Sequence, residues 1–175
     1  MISFAEYLAL SNAVAEESDP RVAIQGILIE AGGVWVATNG HVMVAIDTEA
    51  PIEWLDAPII VRPWNLPMPR TKKERNAPIT IEFAGEKIIA RHGLYMTELE
   101  LIDRTYPDWR GVSAWHSGKW RAGQIGYLGV NPKYLANLGT DIVKMEFGEV
   151  PGDLIRVSPG KPLLRARVTL IPVRV

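Results

Sequence analysis

Val34–Asp47 reads VWVATNGHVMVAID, two apolar runs separated by Asn39-Gly40. Asn-Gly favours a two-residue type I′ turn, because both central positions of that turn need positive φ. The flanks are rich in Val, Ile, Ala and Trp, and β-branched residues suit a pleated, half-buried surface. The stretch is predicted to be a β-hairpin with Asn39-Gly40 at its tip.

On the N-terminal side, Ser3–Ala15 is predicted to be a helix. Phe4, Tyr7, Leu8 and Leu10, Val14 recur at helical spacing, and Ser3 can cap with Glu6 three residues on. Val22–Glu30 is apolar without clean alternation, as a buried strand is, and Ala31-Gly32-Gly33 turns into the hairpin. Beyond it, Pro58–Val61 is a short strand or the lead-in to a helix. Arg62–Pro78 carries Pro63, Pro67 and Pro69. Proline inside a helix costs about 3 kcal/mol, so this segment is read as a loop or a single turn. Its basic residues Arg70, Lys72, Lys73 and Arg75 suit either phosphate contact or an exposed mobile loop. Ile79–Phe83, Lys87–Arg91 and Tyr95–Ile102 follow as three strands broken at Ala84-Gly85 and His92-Gly93. Gly111–Gln124 reads as a connector. A helix then starts at Pro132, with Asn131 as its cap and Gly139 past its end. Strands are expected at Ile142–Phe147, Leu154–Val157 and Arg165–Pro172.

The 175 residues include 47% hydrophobic side chains, enough for a core in one large or two small domains. The absence of cysteine excludes disulfides, a thiol nucleophile and Cys-ligated zinc, and suits a cytoplasmic protein. MISFAEYLAL lacks the pattern of a signal peptide, and no apolar run reaches the ~20 residues that span a bilayer, so no membrane partner is expected. Net charge is −1, but residues 1–60 sum to −8 and residues 61–175 to +7. Such a split fits a nucleic-acid face, head-to-tail attraction between subunits, or two solvated faces. His41, His92 and His116 are scattered, with no metal-ligand spacing, phosphate loop or nucleophile elbow. No enzyme activity, metal or cofactor is expected.

A helix followed by three strands recurs about three times, near 3–47, 60–102 and 130–172, as a pattern without sequence repetition. Four stretches in this frame carry a resemblance. They are Ala37-Thr38-Asn39-Gly40-His41, Thr105-Tyr106-Pro107-Asp108-Trp109, Val130–Leu135 (VNPKYL), and the terminal Leu170-Ile171-Pro172-Val173-Arg174-Val175. Together and in this order they resemble the bacterial DNA polymerase III β sliding clamp, in which the matching motifs read Ala-Thr-Asp-Gly-His, Phe/Tyr-Pro-Asp-Tyr and a Met-Pro-Met/Val-Arg-Leu tail. The resemblance implies an α+β DNA-clamp fold of repeated βαβββ units, about three here, with antiparallel sheets and short helices. Residues 1–112 would be one complete clamp domain of two units, 113–125 a linker, and 126–175 half of another domain.

The resemblance also implies a site. In clamps a hydrophobic cleft takes short peptide motifs of polymerases and other replication or repair proteins. Matched by position, its walls would be Ile24, Thr38, Gly40, His41 and Met43, then Pro107 and Val112, then Ile171, Pro172 and Val173. Apart from His41 these are small or apolar, which suits leucine and aromatic anchors. Asn39 for Asp, Val42 for a basic residue and Gly111 for a larger one depart from the family pattern. Duplex DNA contact would fall to Arg70, Lys72, Lys73, Arg75 and Lys133. A homo-oligomer, dimer or tetramer, is expected. The function implied is that of a processivity factor able to encircle DNA; the alternative is a reduced clamp that captures the same peptides without doing so.

Overall fold

The computed structural model describes residues 1–113, 115, 130–140, 143–149, 154–161, 163 and 165–171. The expected linker, 113–125, lies outside the described residues except for Ser113 and Trp115.

Helix α1 spans Phe4–Ser11 and starts as the sequence indicates. Glu6 N–H donates to Ser3 Oγ (3.2 Å) and Ser3 N–H to Glu6 Oε2 (2.7 Å), closing a capping box. It ends four residues before Ala15, at the poor helix formers Ser11 and Asn12. The Ala15 N–H is bonded instead to Ile24 O (2.9 Å). The strand expected over Val22–Glu30 is also shorter. Val22–Gln25 is a 3₁₀ turn, and only Ile27–Ile29 forms strand β1. Gly26 between them is obligatory: a Cβ there would lie 2.6 Å from Ile60 Cγ2 and 2.9 Å from Val61 O.

Strands β2 (Val34–Thr38) and β3 (Val42–Asp47) form the expected hairpin, with the tip shifted by one residue. Thr38 opposes Met43, so Gly40 and His41 are the central residues and only Gly40 (φ +88°) is left-handed. This is the pattern of a II′ turn, which needs glycine at its first central position. Asn39 contributes through its side chain, since Oδ1 accepts from His41 N (3.0 Å) and Val42 N (3.1 Å).

Strand β4 (Ile59–Val61) pairs with β1. The C-terminal strands β8 (Val143–Glu146), β9 (Ile155–Pro159) and β10 (Ala166–Leu170) form an antiparallel meander. Strand β10 also pairs with β3 over five residue pairs, giving one seven-stranded sheet of order β4-β1-β2-β3-β10-β9-β8. Both faces of its centre are buried, which explains the missing alternation. Trp35, Val44, Ile46 and Val168 face α1, while Leu28, Val36, Met43, Ala45 and Ile60 face Trp109.

The second sheet is the meander β5 (Ile79–Ala84), β6 (Lys87–His92), β7 (Tyr95–Glu98), turning at Gly85 and Gly93, both at positive φ. Its inner residues Ile79, Ile88 and Ala90 join the α1 core. The proline-rich segment crosses α1 without forming a long helix. The Tyr7 hydroxyl accepts from Trp64 N–H (2.8 Å) and donates to Trp64 O, and the two rings lie 4.4 Å apart. Helix α2 (Lys72–Asn76) is a single exposed turn capped by Thr71 and Glu74. Helix α4 (Pro132–Ala136) has Asn131 as cap and Pro132 at its first position, as read from sequence. The fold is α+β, with antiparallel sheets and short helices. Among the described residues no helix is long and apolar enough to cross a membrane.

Candidate functional site

A groove of about 560 Å³ lies over the junction of β3 and β10. Its floor is set by the register of the two strands: Met43 and Thr169 are directly opposed, and both are buried. Val42 and Ile24 extend it, and Leu154 lines its far side.

The first wall is the hairpin tip. Thr38 Oγ1 donates to Val42 O (2.8 Å) and accepts from Gly40 N (3.1 Å), fixing the turn that presents Gly40 and His41. Arg21 braces it from outside. Its guanidinium pairs with both oxygens of Asp19 (2.9 and 2.7 Å) and reaches Asn39 O at 3.4 Å. Hydrogen bonds from the Arg21 side chain and backbone hold the Asp19 carboxyl at about 2. A Cβ on Gly40 would come within 2.9 Å of that guanidinium, which can swing aside, so it is the positive φ that calls for glycine here. His41 is exposed and its ring stacks on Tyr134 of α4, 5.9 Å away.

The second wall is the segment Tyr106–Val112, which ends in helix α3 (Trp109–Val112). Trp109 is buried on Leu28, Val36 and Ile60. Its Nε1 donates to Glu30 Oε1 (3.1 Å), and Arg110 grips the same carboxylate through two bonds (2.8 and 2.6 Å) while lying 4.2 Å from the Trp109 ring centre. Paired bonds of this geometry fix orientation as well as contact. A Cβ on Gly111 would sit 2.5 Å from Asp108 Oδ2, so the side chain that caps α3 would have to shift for a larger residue.

The third wall is Ile171, tied to the hairpin by its N–H to His41 O (2.9 Å). The structure therefore brings Ile24, Thr38, Gly40, His41, Met43, Pro107, Val112 and Ile171 to one groove. Pro172 and Val173 lie outside the described residues. Sequence reading omitted Arg21, Tyr106, Trp109, Leu154 and Thr169 from the lining. Thr169 was accessible, because it stands two residues from Ile171 and alternate strand residues share a face.

The five basic residues assigned to DNA are not brought together. Arg70, Lys72, Lys73 and Arg75 are all exposed on or beside α2, whereas Lys133 is on α4, in a separate polar hollow next to His41 and Tyr134. A larger concavity of about 650 Å³, walled by Trp35, Ile52, Trp54 and Ile81, contains none of the predicted residues. Among the described residues no group of three or more His, Asp or Glu is placed to hold a metal ion.

This architecture is shared with known structures. DNA polymerase III subunit β from Borrelia burgdorferi, in complex with a natural product, superposes with a TM-score of 0.66 at 14% identity, over 99% of this chain and 62% of that one. The chain has the sliding-clamp fold. The sliding clamp of Bartonella birtlesii bound to griselimycin matches equally well, with a TM-score of 0.66 at 17% identity over 98% of this chain and 64% of the other. The β subunit of Thermotoga maritima gives 0.60 at 13% identity, over 98% and 63%. This clamp-fold chain thus spans less than two thirds of the length of these solved clamps. No protein-family model and no curated protein matches its sequence.

Proposed function

We propose that the protein is a non-catalytic clamp-type factor of DNA replication or repair whose groove binds clamp-binding peptide motifs of polymerases and related proteins. In this reading 1–112 is a complete clamp-type domain and 126–175 half of another. One observation carries it: eight residues assigned to a peptide cleft, from three distant stretches of sequence, line a single apolar groove. A groove of this size and character suits an extended peptide with leucine or aromatic anchors.

The test is titration of the full chain with a labelled Gln-Leu-x-Leu-Phe-type peptide. Binding is expected, with Met43→Ala weakening it about tenfold, because a few buried anchors carry most of the energy. Removal of residues 171–175 is expected to abolish it, since Ile171 is part of the wall. No affinity at 1 mM peptide overturns the reading.

A second reading is that the same peptides are captured without DNA being encircled. What favours it is that α1 carries no Lys or Arg, and that the second unit has only the short α2 in place of a long basic helix. Encirclement by a dimer or tetramer predicts retention on circular but not linear duplex DNA. Capture alone predicts equal release from both, whatever the mass in solution.

A further inference from the structure

Gln25 is a buried polar side chain in the 3₁₀ turn, next in sequence to Ile24 of the groove. Its amide is bonded at both ends. Nε2 donates to the carbonyl oxygens of Glu17 (3.0 Å) and Asp19 (2.8 Å), and Oε1 accepts from Arg62 Nη1 (3.3 Å). A guanidinium can only donate, so Arg62 decides which end of the amide is oxygen and turns the N–H groups toward the 17–19 loop. Arg62 is held in turn by Glu100, through its Nε (2.6 Å) and its backbone N–H (2.9 Å).

The loop that Gln25 holds carries Asp19. The Asp19 carboxylate accepts from Arg21 N (2.8 Å), Nε (2.9 Å) and Nη2 (2.7 Å). Arg21 lines the groove and reaches Asn39 O at the hairpin tip (3.4 Å). A long, exposed arginine has many rotamers open to it, and a carboxylate that grips both edges of its fork selects one. Hydrogen bonds thus run from Gln25 to the loop, from the loop to Arg21, and from Arg21 to the lip of the groove.

We propose that Gln25 is a positioning residue for the peptide groove: by holding the 17–19 loop it sets the Arg21 guanidinium at the lip. This deepens the peptide-groove reading and rests on it. The chemistry needs an amide, because a leucine of similar size fills the space but donates nothing. The two loop carbonyls, at the surface, can then turn to water, so Arg21 loosens while the core stays packed.

The experiment titrates the full chain and its variants with the labelled Gln-Leu-x-Leu-Phe-type peptide. Gln25→Leu is expected to weaken binding about fivefold, and Arg21→Ala by a similar factor. The double variant is expected to lose about fivefold again rather than about twenty-five-fold, because residues acting along one path are not additive. Without peptide, the Arg21 Nε–H signal in the NMR spectrum is expected to exchange faster in Gln25→Leu, with the β2 and β3 amides as protected as before. Additive losses, or an unchanged affinity in Gln25→Leu, overturn the positioning role alone. Should that variant not fold, Asp19→Ala breaks the same path one step later, and an unchanged affinity there overturns the role. Failure of the unaltered protein to bind at 1 mM peptide overturns the groove reading and this inference with it.

Discussion

Two regions of this molecule follow the same order of elements and reach different ends. In the first unit α1 lies on β1–β3, contributes Phe4, Tyr7 and Leu10 to the core, and leaves the opposite sheet face for Trp109 and the groove. In the second unit the segment before the strands is punctuated by proline, and α2 has no buried residue. The meander β5–β7 leaves Phe83, Leu94, Tyr95 and Met96 more than half exposed. A strand pattern alone does not make a two-faced sheet. Something has to cover each face, and only the first unit, joined to β8–β10, has cover on both sides of its centre. The groove stands where that cover ends.

The largest expected contrast between the regions is in stability. Leu10→Ala, at a site with no exposure, is expected to cost about 3 kcal/mol by urea denaturation. Leu94→Ala, on the second meander at 97% exposure, is expected to change stability by less than about 0.5 kcal/mol. Comparable costs would break the distinction. A smaller effect is expected at Glu6, which is buried on the first unit and paired with Arg165 (2.8 Å). Burial alone would raise its carboxyl, but hydrogen bonds from Arg165 and Ser3 outweigh burial and hold it below the usual value of 4.5. Its folded pKa is therefore depressed. Its contribution is complete above about pH 4.5 and is lost as pH falls through the lower, folded value. Glu6→Gln is expected to cost about 2 kcal/mol at pH 7 and to flatten the acid limb of the stability profile. The smallest effect probes the seam between the regions. Burial pushes the Tyr7 hydroxyl up to about 12, so it stays protonated and bonded to Trp64. Tyr7→Phe is expected to cost about 1 kcal/mol and to speed exchange of the Trp64 amide, with the β2 and β3 amides unchanged.

The parts legible in the sequence were those decided locally. Ser3 with Glu6, Asn131 with Pro132, and the glycines at 85 and 93 each fix a cap or turn within four residues, and each stands where it was read. The hairpin tip shows where local reading stops. Asn-Gly correctly marked a turn, but the tip moved to Gly40-His41, the register in which Thr38 opposes Met43 and the Asn39 side chain ties the loop. The start of β1 was set by contacts far along the chain, notably Gly26 against Ile60. The Glu30–Trp109–Arg110 link, which seats the second wall, joins residues about eighty positions apart and has no local signature. The eight groove residues came from family likeness; their arrangement came from β10 lying beside β3.

That last pairing has a consequence for how the chain folds. Val42–Asp47 can find Ala166–Leu170 only by closing most of the chain into a loop, and such distant contacts slow folding. Until β10 docks, β3 is an open, apolar edge of the kind that recruits other chains. The groove floor needs both strands, because Met43 and Thr169 are each part of it. A peptide that fills the groove therefore binds only the finished molecule, and raises its melting temperature in proportion to the logarithm of peptide concentration. Occupancy of the groove is a report that β3 and β10 have met.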